Sequence, residues 1–216
     1  QKQQRSKFIS LEDARLNAWP DRHNGYLPAK PASTGIQVIR KYSLEELSNY
    51  IDWTPFFRTW ELAGRFPAIL EDNLVGEQAK SLYKDALAML KRIVDENLLE
   101  ARAIFGIFPA NRRGDDIVLW EGETRETEKM TLHHLRQQNQ KASGQPNWCL
   151  ADFVAEDKQD WIGAFAVSAG FRIEEELARF EAEHDDYSSI MLKALADRLA
   201  EAFAERLHER VRKEFW

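Results

Sequence analysis

The chain has 216 residues, enough for one large domain or two small ones with a real buried core. Its 44% hydrophobic content, with 7 Trp and 12 Phe, excludes a disordered chain, and a net charge of −6 argues against a general nucleic-acid binder. A lone cysteine, Cys149, excludes a disulfide framework and a thiolate zinc site, and no apolar run approaches the roughly 18 residues of a membrane span.

No signal peptide is visible, and a single thiol fits a reducing compartment, so a cytoplasmic location is expected. The chain starts at Gln1, which reads as excision from a longer protein. Residues 1–36 read as an arm: "NGYLPAKPASTG" carries Pro28, Pro31 and two glycines without a sustained period, as a linker or surface-hugging strap would. The domain proper is expected from residue 37 to 216.

It opens on a β-rich stretch, "IQVIRKY". Ser43 and Glu46 then have capping-box spacing, which predicts a helix start. In "YIDWTPFFRTWELAGRFP", Pro55 suits a first helical turn, with Asp52 or Thr54 near the cap. From Gly76 to Asn97 apolar residues recur at helical spacing, at Ala79, Leu82, Tyr83, Ala86, Met89, Leu90 and Ile93. The period then changes. "AIFGIFPA" and "DIVLWE" flank the turn "RRGDD" and predict a hairpin. "KMTLHHLRQQ" reads as a strand running into a helix, and "QKASGQPN" as a loop. "WIGAFAVSAG" (161–170) predicts a strand whose Gly163 and Ala164 admit a close backbone approach. A short acidic helix near Ile173–Glu183 and a long one from Tyr187 to Glu214 complete the chain. The order of arm, helices, strands and helices favours an α+β fold, a single domain with a mixed or antiparallel sheet and long packed helices.

The long helix poses the main question. Met191, Leu195, Leu199 and Ala202 form one stripe, with Leu192 and Phe203 beside it. Ile190, Ala194, Ala196, Ala200 and Ala204 make the flanks apolar or small too, as in a helix packed on several sides. Asp197 and Glu201 interrupt this surface four residues apart, one above the other. Two readings stand: a structural ion pair of Asp197 with Arg198, Arg125 or another arginine, or a cleft whose carboxylates receive a cationic or hydrogen-bond-donating ligand. "HDDY" (184–187) reads as a helix cap rather than a metal site, and adjacent His133 and His134 are expected on opposite faces. His208 is a candidate for a polar contact on the Glu201 face. Nucleotide-binding glycine motifs, a nucleophile elbow and paired-cysteine zinc spacings are absent from the sequence.

The strings "YIDWTPFFRTWELAGRFPAIL", "GIFPANRRGDDIVLW", "HHLRQQ", "CLADFVA", "DWIGAFAVSAG" and "HDDYSSIMLKALADRLAEAFAERLHERVRKEFW" occur in that order. Together they resemble the C-terminal activation domain of the cobalamin-dependent methionine synthases, from about Ile36 to Trp216. The resemblance implies a part of a methyltransferase that binds S-adenosylmethionine and restores methylcobalamin from inactive cob(II)alamin, without a catalytic residue of its own. Cobalamin would sit on the neighbouring domain of the same parent chain, electrons would come from flavodoxin or a flavodoxin-like reductase, and zinc would belong to another parental domain. By motif, Asp52 in "DWTPFF" and Glu201 in "LAEAF" resemble the family's S-adenosylmethionine-binding carboxylates. Asp197 resembles the position that meets the cobalamin domain, and residues 1–36 the linker from it. The family continues with an Arg-Pro-Ala-x-Gly-Tyr-Pro segment that holds the ligand's carboxylate and adenosyl part; this chain stops at Trp216 without it, so half a site is expected. The alternative is an interaction module that docks flavodoxin or the cobalamin domain without holding a small molecule. Its basic end, Arg206, Arg210, Arg212 and Lys213, would meet an acidic partner.

Overall fold

The structure, a computed structural model, describes residues 7–19 and 27–216. The expected strap at 24–35 thus lies partly outside the described residues. The observed class is α+β, as expected, with helices α1 (Leu11–Leu16), α2 (Leu44–Ser48), α3 (Trp53–Thr59), α4 (Gly76–Asp95), α5 (Ile173–Ala182) and α6 (Asp186–Arg210). Strands β1 (Gly35–Tyr42), β2 (Glu100–Arg113), β3 (Asp116–Trp120), β4 (Glu128–Leu132) and β5 (Asp160–Phe171) form one sheet in the order β1-β2-β3-β4, with β5 also paired to β2. The chain divides into two compact units. One comprises residues 1–36, 106–164 and 215–216; the other comprises 37–105 and 165–214.

In the first unit the predicted hairpin forms. Arg113 faces Asp116 across an antiparallel ladder, leaving Gly114 and Asp115 as the loop. Gly114 takes φ 66, the left-handed region that two-residue hairpin loops require and that glycine enters without a Cβ clash. β4 pairs antiparallel with β3, with a bulge at Leu119/Trp120. Ala110, Ile117, Leu119, Cys149, Ala151 and Val154 form this unit's core. Cys149 is a buried free thiol within it.

The helix expected after β4 does not form; residues 133–138 carry no regular structure. Tertiary bonds hold this stretch extended instead. Gln137 N–H donates to Trp148 O at 2.8 Å, and Arg136 turns inward, where its guanidinium bonds Asp152 at 2.7 and 2.8 Å, Asn147 O at 2.6 Å and Asp115 at 2.9 Å. A buried arginine needs such partners, and a helix would turn them away. In the arm, α1 is a helix that no period announces. Ser10 caps it by accepting the Asp13 N–H at 3.0 Å, and Arg15 reaches Asp115 at 2.7 Å. The close backbone approach expected at Gly163 does not occur: among the described residues a Cβ there would meet the Trp216 ring at 3.5 Å, an ordinary van der Waals contact.

In the second unit α6 is the centre. α2, α3, α4 and α5 all pack on it, which explains why its sequence is apolar almost all round. Met191, Leu192, Leu195, Leu199 and Phe203 are fully buried, as are Leu47, Phe56, Phe57 and Ile93 from the other elements. Three helix ends share one device. After α3, Leu62 N–H bonds Phe57 O and Glu61 N–H bonds Arg58 O; equivalent pairs occur at Leu98 and Asn97 after α4, and at Asp185 and His184 after α5. These are Schellman closures, in which the residue just past the helix must be left-handed. Glu61, Asn97 and His184 occupy that place at φ 60, 51 and 54, where glycine is the commonest choice.

Candidate functional site

Asp52 is the N-cap of α3, as the Pro55 pattern suggests. Its Oδ1 accepts the Thr54 N–H at 2.9 Å, and the residue is exposed. The Thr54 hydroxyl in turn accepts the Phe66 N–H at 3.2 Å, tying the segment after α3 back to its start. The cap consumes one carboxylate oxygen; no bond to Oδ2 occurs among the described residues.

On α6, both Asp197 and Glu201 face solvent. Asp197 is paired with its neighbour Arg198 at 2.5 Å, so the structural-pair reading describes its contact correctly, with the pair on the surface. Arg198 also offsets the like charge that Glu201 brings one turn away. Glu201 makes no hydrogen bond or ion pair among the described residues. All three candidates therefore lie in the second unit, on the packed elements α3 and α6. A 410 Å³ cleft in that unit, lined by Lys41, Tyr42, Glu45, Asn97 and Glu100 among others, includes none of them.

A network that sequence reasoning missed joins the approach to α3 with the end of α6. Tyr50 OH donates to Glu209 Oε2 at 3.0 Å; Arg206 donates to the same oxygen at 3.0 Å and to Glu46 at 2.6 Å. Glu46 also accepts the Tyr42 hydroxyl at 2.9 Å. The capping box at Ser43 is consequently half-formed. Ser43 Oγ accepts the Glu46 N–H at 3.1 Å, while the Glu46 carboxylate serves Tyr42 and Arg206. Burial opposes ionisation of Glu46, but Arg206 and the Tyr42 hydroxyl outweigh it and hold its carboxyl below the usual range. Glu209 is held down to about 2, first by Lys213, then by Tyr50 and Arg206.

This network changes the picture of the basic end. Arg206 is paired with Glu46 and Glu209, Arg210 with Glu214, and Lys213 with Glu209, while exposed Arg212 has no ion pair among the described residues. Most of that positive charge is neutralised within the chain. His208 is exposed and lies 6.4 Å, centroid to centroid, from the Phe165 ring; a polar contact with Glu201 is not made.

His184 is the left-handed residue closing α5, and Asp185 caps α6 by accepting the Ser188 N–H at 2.9 Å, so "HDDY" is a helix junction. His133 is exposed beside Asp116 at 3.0 Å, whereas the His134 Nε2 is buried. No cluster of three or more metal-ligating side chains occurs among the described residues, and no helix among them is long and apolar enough to cross a membrane.

A family model described as the vitamin B12 dependent methionine synthase, activation domain, matches residues 43–216. The chain belongs to this family. Among solved structures, a crystal structure of the MetH reactivation domain bound to AdoHcy is 52% identical and superposes with a TM-score of 0.92. The match covers 98% of the present chain and 65% of that solved chain. The elements from α2 onward, including the α3 and α6 segments that bear the candidate carboxylates, fall within the matched residues, while α1 and β1 precede them.

Proposed function

We propose that the chain is the reductive reactivation module of a cobalamin-dependent methionine synthase. It holds S-adenosylmethionine as methyl donor for the cofactor carried on a preceding domain of the same parent chain, with electrons delivered by flavodoxin or a flavodoxin-like reductase. Residues 1–36 act as the linker and 37–216 as the module. The observation that carries this reading is family membership over residues 43–216, reinforced by 52% identity to a domain solved with AdoHcy. That ligand is the demethylated form of the donor.

The available carboxylate chemistry fits such a ligand. S-adenosylmethionine presents an ammonium and a sulfonium, both cationic. Asp52 retains Oδ2 after capping α3, and Glu201 has neither oxygen engaged among the described residues. In this reading those two carboxylates orient the methionine end of the ligand. Asp197, one turn from Glu201, faces the cobalamin domain, with Arg198 holding its carboxylate until they meet. The ligand's carboxylate and adenosyl group fall to the Arg-Pro-Ala-x-Gly-Tyr-Pro segment of the parent chain. Cobalamin supplies the redox-active, methyl-accepting centre; the residues described here bind and orient.

Calorimetric titration of S-adenosylmethionine into the intact parent enzyme tests the assignment. Asp52→Asn and Glu201→Gln are each expected to weaken binding about tenfold or more, the loss of one charged hydrogen bond. Affinity unchanged in both variants would overturn these two carboxylates as ligand groups.

A further inference from the structure

We infer that Tyr50 is a positioning residue, fixing the segment that carries Asp52 against the helix that carries Glu201. The inference rests on the reading of those carboxylates as a ligand pair and concerns what sets the geometry between them.

Asp52 and Glu201 are 149 residues apart in the chain, and neither bonds the other. A two-point clamp for one small cation works only if its arms are held at a fixed separation. Burial of α3 against α6 sets their approach, and because the hydrophobic effect is non-directional a polar bond is what adds a defined direction to that packing. The directional link lies at Tyr50, two residues before Asp52. Its hydroxyl donates to Glu209 Oε2 at 3.0 Å, and Arg206 lies 5.5 Å above its ring. Glu209 is two helical turns beyond Glu201, a lever of about 12 Å along the same rigid rod. Glu209 cannot swing to follow Tyr50, because Arg206 and Lys213 hold it as well, and Arg206 is itself pinned to Glu46 on α2. The link therefore fixes the register of the Asp52 segment along α6. A hydroxyl bonded to an ionised carboxylate is a strong form of hydrogen bond.

The test is a double-mutant cycle in the intact parent enzyme, read by titration with S-adenosylmethionine. Tyr50→Phe keeps the ring beneath Arg206 and removes only the hydroxyl; it is expected to raise Kd roughly three- to tenfold. Glu209→Gln should act in the same direction. In an Asp52→Asn background, with the clamp already broken, Tyr50→Phe should leave Kd unchanged while lowering the melting temperature as much as it does in the native background. An unchanged Kd in Tyr50→Phe overturns the inference, and so does an equal fold-loss with Asp52→Asn present, since that would mark a general structural role. If Asp52→Asn and Glu201→Gln alone leave affinity intact, the carboxylate assignment falls and the inference falls with it.

Discussion

The Asp52 carboxylate and the Thr54 backbone are joined by a 2.9 Å bond that uses Oδ1 alone. One oxygen starts a helix, and under the proposed function the other is the one that meets the ligand. The two roles separate by substitution. Asp52→Ala loses the cap and should destabilise the domain by about 1 kcal/mol, whereas Asp52→Asn keeps an acceptor there and should melt with the native protein. Both should lose ligand affinity in calorimetry. Equal melting of the two variants would show that the cap does not contribute.

Glu61 closes α3 from the left-handed region, at φ 60. A side chain there brings Cβ against the following carbonyl, a penalty glycine escapes. Glu61→Gly should therefore stabilise the domain, by up to about 1 kcal/mol after the greater freedom of glycine in the unfolded chain is subtracted. The urea midpoint should rise with an unchanged slope.

Arg136 is buried and its fork reaches both Asp152 and Asp115. Arg136→Met takes from buried Asp152 its bidentate partner and leaves Asp115 with Arg15 alone, and should cost about 3–5 kcal/mol in chemical denaturation. Arg136→Lys should rescue little, since an ammonium cannot bridge two carboxylates and the Asn147 carbonyl in one plane.

The Glu209 carboxyl is lowered from 4.5 to about 2, with Lys213 the largest cause. A value depressed on folding contributes stability above the unfolded value, and that contribution disappears as pH falls towards the folded one. The Tyr50–Glu209–Arg206 link should thus persist through mild acid and break only as pH approaches about 2, while its contribution to stability fades between about 4.5 and about 2. Carbon-13 NMR of the side-chain carboxyl reads this directly, and Lys213→Ala should move its midpoint upward. Because Glu209 is reached by solvent, the accompanying change in stability is small.

Much of the fold is legible because burial imposes a period. Ala79, Leu82, Ala86, Leu90 and Ile93 announce α4, and the apolar circumference of α6 announces helices packed on several of its sides. What stays hidden is decided by single long-range partners. The extended path after β4 depends on what Arg136 meets 11 and 16 residues later, and α1 buries only Ala14, too little for a pattern. The left-handed Glu61 and His184 carry no glycine to mark them. The candidate carboxylates are legible only through their surrounding motifs. Periodicity alone leaves Asp197 and Glu201 between two readings, and it carries no sign that Tyr50 reaches Glu209 across 159 residues of chain.

Trp216 donates its indole N–H to Ala29 O at 3.0 Å, and Phe215 O accepts the Ala32 N–H at 3.0 Å, so these contacts span most of the sequence. Ala29 and Ala32 are thus tied to residues 187 and 183 positions further along the sequence. Closing so long a loop costs entropy that nearer contacts do not, so this docking is expected among the last contacts of its unit to form.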